Sequence, residues 1–329
     1  MRITLRFARA LVATAGTLAL LIGVVAPCGA QTFPSRGVKV VVAYPPGGAT
    51  DIIARTLAQA LGTKWTQTVI VENKPGASGM VGAEQVVRSP PDGYTLLLGY
   101  TPEVALNKIV LKQMRYDPQS QLMPIALVAD APLILAAGPK ARVNSFAALL
   151  EKKTERGELS FGSPGAGGQQ HLAGELLRVV TGLNLLHVPY KGTAPAITDL
   201  LGGQIDLFFG TAPPLINHFK SGRLQPLMVT ATQREPLLPE VPSARELGFE
   251  DFQVSNWFGV FAPAGLDRQV AEKLASDIQS ALADTTVAKS LEDQGLHLRY
   301  LGPQEFQAFI AAEMAKYGKI LEKTGIEKQ

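Results

Sequence analysis

The run Val40-Val41-Val42-Ala43-Tyr44-Pro45-Pro46-Gly47-Gly48-Ala49-Thr50-Asp51-Ile52-Ile53-Ala54 changes its periodicity in the middle. Its first part is apolar and β-branched, as in a strand buried on both faces. Pro45-Pro46-Gly47-Gly48 ends that strand, and Ile53, Leu57 and Leu61 then recur at helical spacing. Strand, glycine turn and helix in that order form the unit of an α/β sheet. A second run repeats the plan: Leu159-Ser160-Phe161-Gly162-Ser163-Pro164-Gly165-Ala166-Gly167-Gly168-Gln169-Gln170-His171-Leu172-Ala173, with Leu172, Leu176 and Val180 at helical spacing. Glycine lets backbone come close to a ligand, and a helix start offers unpaired N–H groups with a partial positive charge. Together they make an anion site that needs no Arg or Lys, and neither loop contains one. Neither loop is a Walker A motif or a dinucleotide fingerprint. A glycine-rich strand-to-helix turn can also be purely structural; its repetition in one chain argues for a ligand held between two such loops, at the carboxyl ends of the strands.

Working outward, Val38–Tyr44, Thr68–Glu72, Thr95–Gly99, Leu159–Gly162, Leu185–Val188, Ile205–Phe209 and Leu227–Ala231 read as buried strands. Helical patterns lie between them, and Thr193 reads as a helix cap with Pro195 in the first turn and Gly202 past the end. The alternation predicts α/β domains with mostly parallel sheets. Two further stripes, Val270 to Leu282 and Phe306 to Leu321, predict helices that pack back on existing sheets. Ala126–Gly138 and Phe252–Ala262 are long, apolar and uncapped, as expected of crossings between two domains. The predicted organisation is a domain of residues 31–132 plus 256–329, with residues 133–255 inserted as a second domain.

The chain has 329 residues, 46% hydrophobic and 18% charged, which is a globular composition. Its net charge of +3 is confined to residues 1–30, which carry Arg2, Arg6 and Arg9 and no acid. From residue 31 onward 28 basic residues face 28 acidic ones, so no basic block favours nucleic acid. Arg2 to Arg9, the apolar run Leu11–Val25 and the small residues Cys28-Gly29-Ala30 form a secretory signal peptide, with Gln31 as the first mature residue. An uncleaved anchor and lipidation at Cys28 stay open; the short apolar run counts against the first and Pro27 against the second. Cys28 is the single cysteine, which excludes a disulfide framework and thiolate metal sites. The expected product is an exported, soluble, periplasmic monomer without cofactor.

The stretch Tyr44-Pro45-Pro46-Gly47-Gly48-Ala49-Thr50-Asp51 resembles the first signature of the tripartite tricarboxylate transporter receptors, or Bug-type solute-binding proteins. Val71-Glu72-Asn73-Lys74-Pro75-Gly76-Ala77 and Pro91-Asp92-Gly93-Tyr94-Thr95-Leu96-Leu97 look like the next two. Gln170-His171-Leu172-Ala173-Gly174-Glu175-Leu176, His187-Val188-Pro189-Tyr190-Lys191-Gly192 and Asp199-Leu200-Leu201-Gly202-Gly203-Gln204 complete the set, and the likeness runs from about Phe33 to Ile326. The resemblance implies a type II periplasmic binding protein fold, two α/β domains joined by two crossing strands with the ligand cleft between. It implies capture of a small organic carboxylate by hinge closure and delivery to membrane transporter subunits. Carried over, the ligand contacts are Tyr44, Pro46, Gly47, Gly48, Ala49, Thr50 and Asp51 from the first loop. Ser163, Gly165, Gly167, Gly168 and Gln169 come from the second, with Tyr100, Thr101 and Thr211 after neighbouring strands. Many members have Thr-Ser at Gly168-Gln169, Asn at Ala166, Asp-Asn at Gly210-Thr211 and a smaller Ser/Gly-rich stretch at Tyr100-Thr101-Pro102. The missing acid at Gly210 speaks against holding an ammonium there, and the bulk of Tyr100 favours an apolar or aromatic ligand.

His171, His187, His218 and His297 show no metal-ligand spacing, and His171 is expected to hydrogen-bond the helix start. Ser163 lacks a GxSxG context. Asp51 reads equally as an N-cap or a ligand contact, and Trp257 as core or cleft lining. Glu313, Lys316 and Lys319 are assigned to a solvated helix face. The rival functions are a periplasmic sensor and a secreted enzyme using the same cleft. The enzyme requires an acid/base pair, and Asp51 alone is not one.

Overall fold

The computed structural model describes residues 33–155, 157–326 and 328; the signal-peptide assignment lies outside them. Two mixed sheets organise the body Arg36–Gln329. The first contains β1 (Val38–Val42), β2 (Val69–Asn73), β3 (Thr95–Tyr100), β4 (Leu122–Pro132), β10 (Ser255–Pro263) and β11 (His297–Leu301), in the order β11-β4-β10-β3-β1-β2. The second contains β5 (Ile134–Ala137), β6 (Leu159–Ser163), β7 (Leu185–Pro189), β8 (Leu207–Gly210) and β9 (Gln225–Val229), in the order β7-β6-β8-β5-β9. Helices α1 (Ala49–Trp65), α2 (Met80–Val87), α3 (Phe146–Glu155), α4 (Gln169–Thr181), α5 (Thr193–Leu201), α6 (Ala212–Lys220), α7 (Arg268–Leu282), α8 (Thr285–Glu292) and α9 (Pro303–Thr324) accompany them. Among the described residues no helix is long and apolar enough to cross a membrane.

The sheets are less parallel than the alternation predicts. β1 runs parallel to β2 and β3, and β6 to β7 and β8, but β10 pairs antiparallel with both β3 and β4, β11 with β4, and β5 with β8 and β9. The reason is connectivity: β4 and β10 are the strands by which the chain leaves and re-enters the first sheet, so they run against each other. The chain is in the first sheet at Pro132 and in the second at Ile134, and returns to the first at Ser255. Thr230 fastens these passages together. Leu133 N–H donates to Thr230 Oγ1 at 2.9 Å, and Thr230 Oγ1 donates to the Val254 carbonyl at 2.5 Å.

Packing follows the apolar patterns. Ile53, Leu57 and Leu61 of α1 are buried, and Trp65 Nε1 ties its end to Asp277 of α7 at 2.6 Å. Trp257 is a core residue, edge-on to Phe306 and Phe309 of α9. Each fully buried side chain of this kind contributes about 2 kcal/mol. Helix α9 does not present Glu313 to solvent as assigned: Glu313 is buried, with Lys316 bonded to its Oε1. A shift of the exposed face by part of a turn, imposed by Phe306, Ile310 and Tyr317 underneath, accounts for it. Likewise Gly192, not Thr193, is the N-cap of α5.

Candidate ligand-binding site

The first loop leaves β1 through half-buried Tyr44 and reaches α1 through two glycines of different conformation. Gly47 has φ +88°, in the region that favours glycine. Gly48 caps α1 with φ −85° and ψ 170°. Gly47 N–H donates to Asp51 Oδ2 at 3.0 Å, and Arg55 Nε donates to the same oxygen at 2.9 Å. Asn73 Nδ2 donates to Asp51 Oδ1 at 2.9 Å and to the Tyr44 carbonyl at 3.0 Å. Asp51 is therefore not the N-cap: it sits in the first turn, both of its oxygens engaged by the protein, and holds the loop. Burial would raise its pKa, but Arg55, Asn73 and Gly47 outweigh burial and hold the carboxyl below its ordinary value. The first helical bond runs from Ile52 N–H to the Gly48 carbonyl at 3.0 Å, so the amides of Ala49, Thr50 and Asp51 precede the ladder.

The second loop is built the same way in the other sheet. Gly167 has φ +77°, and Gly168 caps α4 with φ −78° and ψ 171°. Leu172 N–H donates to the Gly168 carbonyl at 3.0 Å, and Gly167 N–H donates to His171 Nδ1 at 3.0 Å. Gly47, Gly48 and Asp51 thus correspond to Gly167, Gly168 and His171. A Cβ on Gly48 would meet nothing within 4 Å, and one on Gly168 only Gln170 Oε1 at 3.6 Å and the Gly165 carbonyl at 3.8 Å. With negative φ and open space, neither strain nor packing demands glycine at these caps. What the missing side chains keep clear is the space in front of two helix starts.

Behind the second loop lies a ring stack absent from any sequence spacing. His171 and His187 stack with centroids 3.8 Å apart, and His187 stacks on Phe161 at 5.0 Å. Ser163 Oγ lies 2.7 Å from the Gly165 carbonyl, to which it donates, and 2.7 Å from His187 Nε2. Burial, then the neighbouring His171, pushes the His187 pKa down to about 4, and burial lowers that of His171. His218 and His297 lie elsewhere, against Arg223 and Glu235.

Glu103, which follows Tyr100-Thr101-Pro102 and which sequence reasoning missed, is completely buried beside the first loop. Its Oε2 accepts from Tyr44 Oη and its Oε1 from Tyr100 N–H, both at 2.7 Å. Burial pushes its carboxyl up to about 8. Tyr44 lies edge-on to Tyr100 at 5.3 Å, and Tyr100 is parallel to Phe258 at 5.4 Å. Gln170 of α4 faces the Tyr100 hydroxyl, so the two sheets approach each other here.

Tyr44, Pro46 to Asp51 and Tyr100 therefore gather at the carboxyl ends of β1 and β3. Ser163, Gly165, Gly167, Gly168, Gln169 and Thr211 gather at those of β6 and β8. Thr101 turns away: its hydroxyl exchanges bonds with the Trp257 backbone. Gln169 is fully buried, with its carboxamide facing the Tyr317 hydroxyl.

Comparison with known proteins bears on the family and the fold. The family model for the tripartite tricarboxylate transporter family receptor matches residues 53–326. Protein BugT of Bordetella pertussis (strain Tohama I) is 35% identical over 317 residues, 96% of this chain and 97% of BugT. The structure of the periplasmic binding protein BugD has a TM-score of 0.81 at 35% identity, over 90% of this chain and 100% of BugD. R. palustris Rpa4515 with adipate has a TM-score of 0.84 at 31% identity, over 90% of this chain and 99% of that one.

Proposed function

This chain belongs to the tripartite tricarboxylate transporter receptor family, and from that premise we propose that it is a periplasmic receptor for a small organic carboxylate. Its fold is that of the periplasmic binding proteins. In our reading one ligand carboxylate sits between the starts of α1 and α4. There it accepts from first-turn amides and from the Gln169 carboxamide. The observation that carries this reading is the pair of N-cap glycines, Gly48 and Gly168, which neither strain nor packing requires. Rpa4515 with adipate supports the ligand class.

The two sheets are the cores of two lobes, residues 31–132 with 256–329 and residues 133–255, hinged where Thr230 joins Leu133 to Val254. Ligand contacts from both lobes favour the closed form through differential affinity. The closed form is then delivered to membrane transporter subunits, and no bond in the ligand is made or broken.

A thermal-shift panel of acetate, benzoate, malate, adipate, citrate and glutamate tests the reading, because a bound ligand raises the melting temperature by mass action. Gly48→Val, whose Cβ enters open space, stays folded and abolishes the shift. A full shift in Gly48→Val rejects the loop site.

A further inference from the structure

We propose that His171 is the positioning residue of the second loop, that it holds Gly167 as Asp51 holds Gly47, and that its protonation loosens the grip on the ligand. The proposal rests on the two loops being the ligand site.

Gly167 occupies the left-handed region at φ +77°, and its N–H is held by His171 Nδ1 at 3.0 Å, four residues on. Gly47, at φ +88°, is held by Asp51 Oδ2 at the same distance and separation. Each tether fixes the turn immediately before an N-cap glycine, so it sets where the first-turn amides of the helix point. The two tethers differ in chemistry. A carboxylate accepts throughout the neutral and mildly acidic range, and Asp51 is held ionised by Arg55, Asn73 and Gly47 itself. An imidazole nitrogen accepts only while it carries no proton. A proton on Nδ1 of His171 would set two donors face to face and break the tether.

The surroundings set how far into acid this tether holds. From β7, the His187 ring lies 3.8 Å away, so a charge on either ring opposes a charge on the other. From β6, the neighbour is the uncharged Phe161 ring at 6.3 Å. On α4 itself Glu175 Oε1 lies 3.9 Å from His171 Nε2 and favours the charged ring, but Glu175 is shared with Arg178 Nε at 2.7 Å. From α9, the Thr324 carbonyl accepts from the same Arg178 at 3.4 Å and adds no charge. Burial opposes the charged form of His171, so the ring takes up its proton only in acid, below its ordinary range. Acid therefore unfastens the second loop while the first stays fastened.

Nitrogen-15 NMR of the full chain decides the tether without a ligand. Between pH 7.5 and pH 4, the Gly167 amide should shift in step with the His171 ring nitrogens while the Gly47 amide stays put. A Gly167 amide that ignores His171 overturns the proposal. For the ligand, the probe is the acid of the six-member panel with the largest shift, titrated calorimetrically with folding checked at each pH. Wild type should lose affinity on acidification, by up to about tenfold, the value of one buried hydrogen bond. His171→Leu, which has no acceptor, should already be weakened about tenfold at pH 7.5. His171→Asn, which restores an acceptor that does not titrate, should bind more tightly than His171→Leu and lose less on acidification than wild type. Equal acid losses in wild type and His171→Asn overturn the proposal. If no acid of the panel binds, the site reading fails, and the NMR result still stands on its own.

Discussion

Tyr44 donates its hydroxyl to Glu103 Oε2 at 2.7 Å, which puts a completely buried carboxyl directly behind the first glycine loop. The Tyr44 hydroxyl is thus used inside the protein.

This acid makes stability depend on pH with a definite sign. Burial raises the folded pKa of Glu103 from its ordinary 4.5 to about 8, so between these values the folded protein holds a proton that the unfolded chain releases. Stability from this group is complete below about pH 4.5 and falls, by a few kcal/mol, as pH rises to about 8. Urea unfolding at pH 5, 6.5 and 8 should show the decline in wild type and a flatter profile in Glu103→Gln.

The Asp51 tether is structural as well as functional. Asp51→Ala leaves Gly47 N–H, Arg55 and Asn73 without their shared acceptor. It should lower unfolding free energy by about 1–2 kcal/mol and weaken carboxylate binding, read by denaturation and calorimetry on one preparation.

Thr230 is the fastening of the two inter-sheet passages. Thr230→Val keeps the shape and deletes the hydroxyl that serves Leu133 N–H and the Val254 carbonyl. Loss of about 1–2 kcal/mol is expected in chemical denaturation, together with faster amide exchange at Leu133.

Glycines that look alike in the sequence separate sharply. A Cβ on Gly174 would lie 2.0 Å from Phe161 Cε2, and Phe161 in turn supports the His187 ring. Gly174→Ala should destabilise by about 1–3 kcal/mol through overpacking. A melting temperature for Gly174→Ala equal to that of wild type would show that the ring moves aside freely.

Strands, glycine turns and amphipathic helices were legible along the chain because each depends on residues adjacent in sequence. Val40 to Val42, Gly47-Gly48 and the Ile53-Leu57-Leu61 stripe carry their geometry locally. The second loop was readable for the same reason, and so was the bond from His171 to the helix start, four residues away. The direction of β4, β5 and β10 was not, because sheet order is set by pairing partners far apart in the chain, as Phe258 with Ala129 and Tyr100, or Ile134 with Gly210 and Val229. The His171–His187 stack, the Thr230 fastening and the Tyr44–Glu103 bond belong to the same class. Each joins segments that only the folded core brings together, and the burial that shifts the pKa values of Glu103 and His187 does not exist until that core has formed.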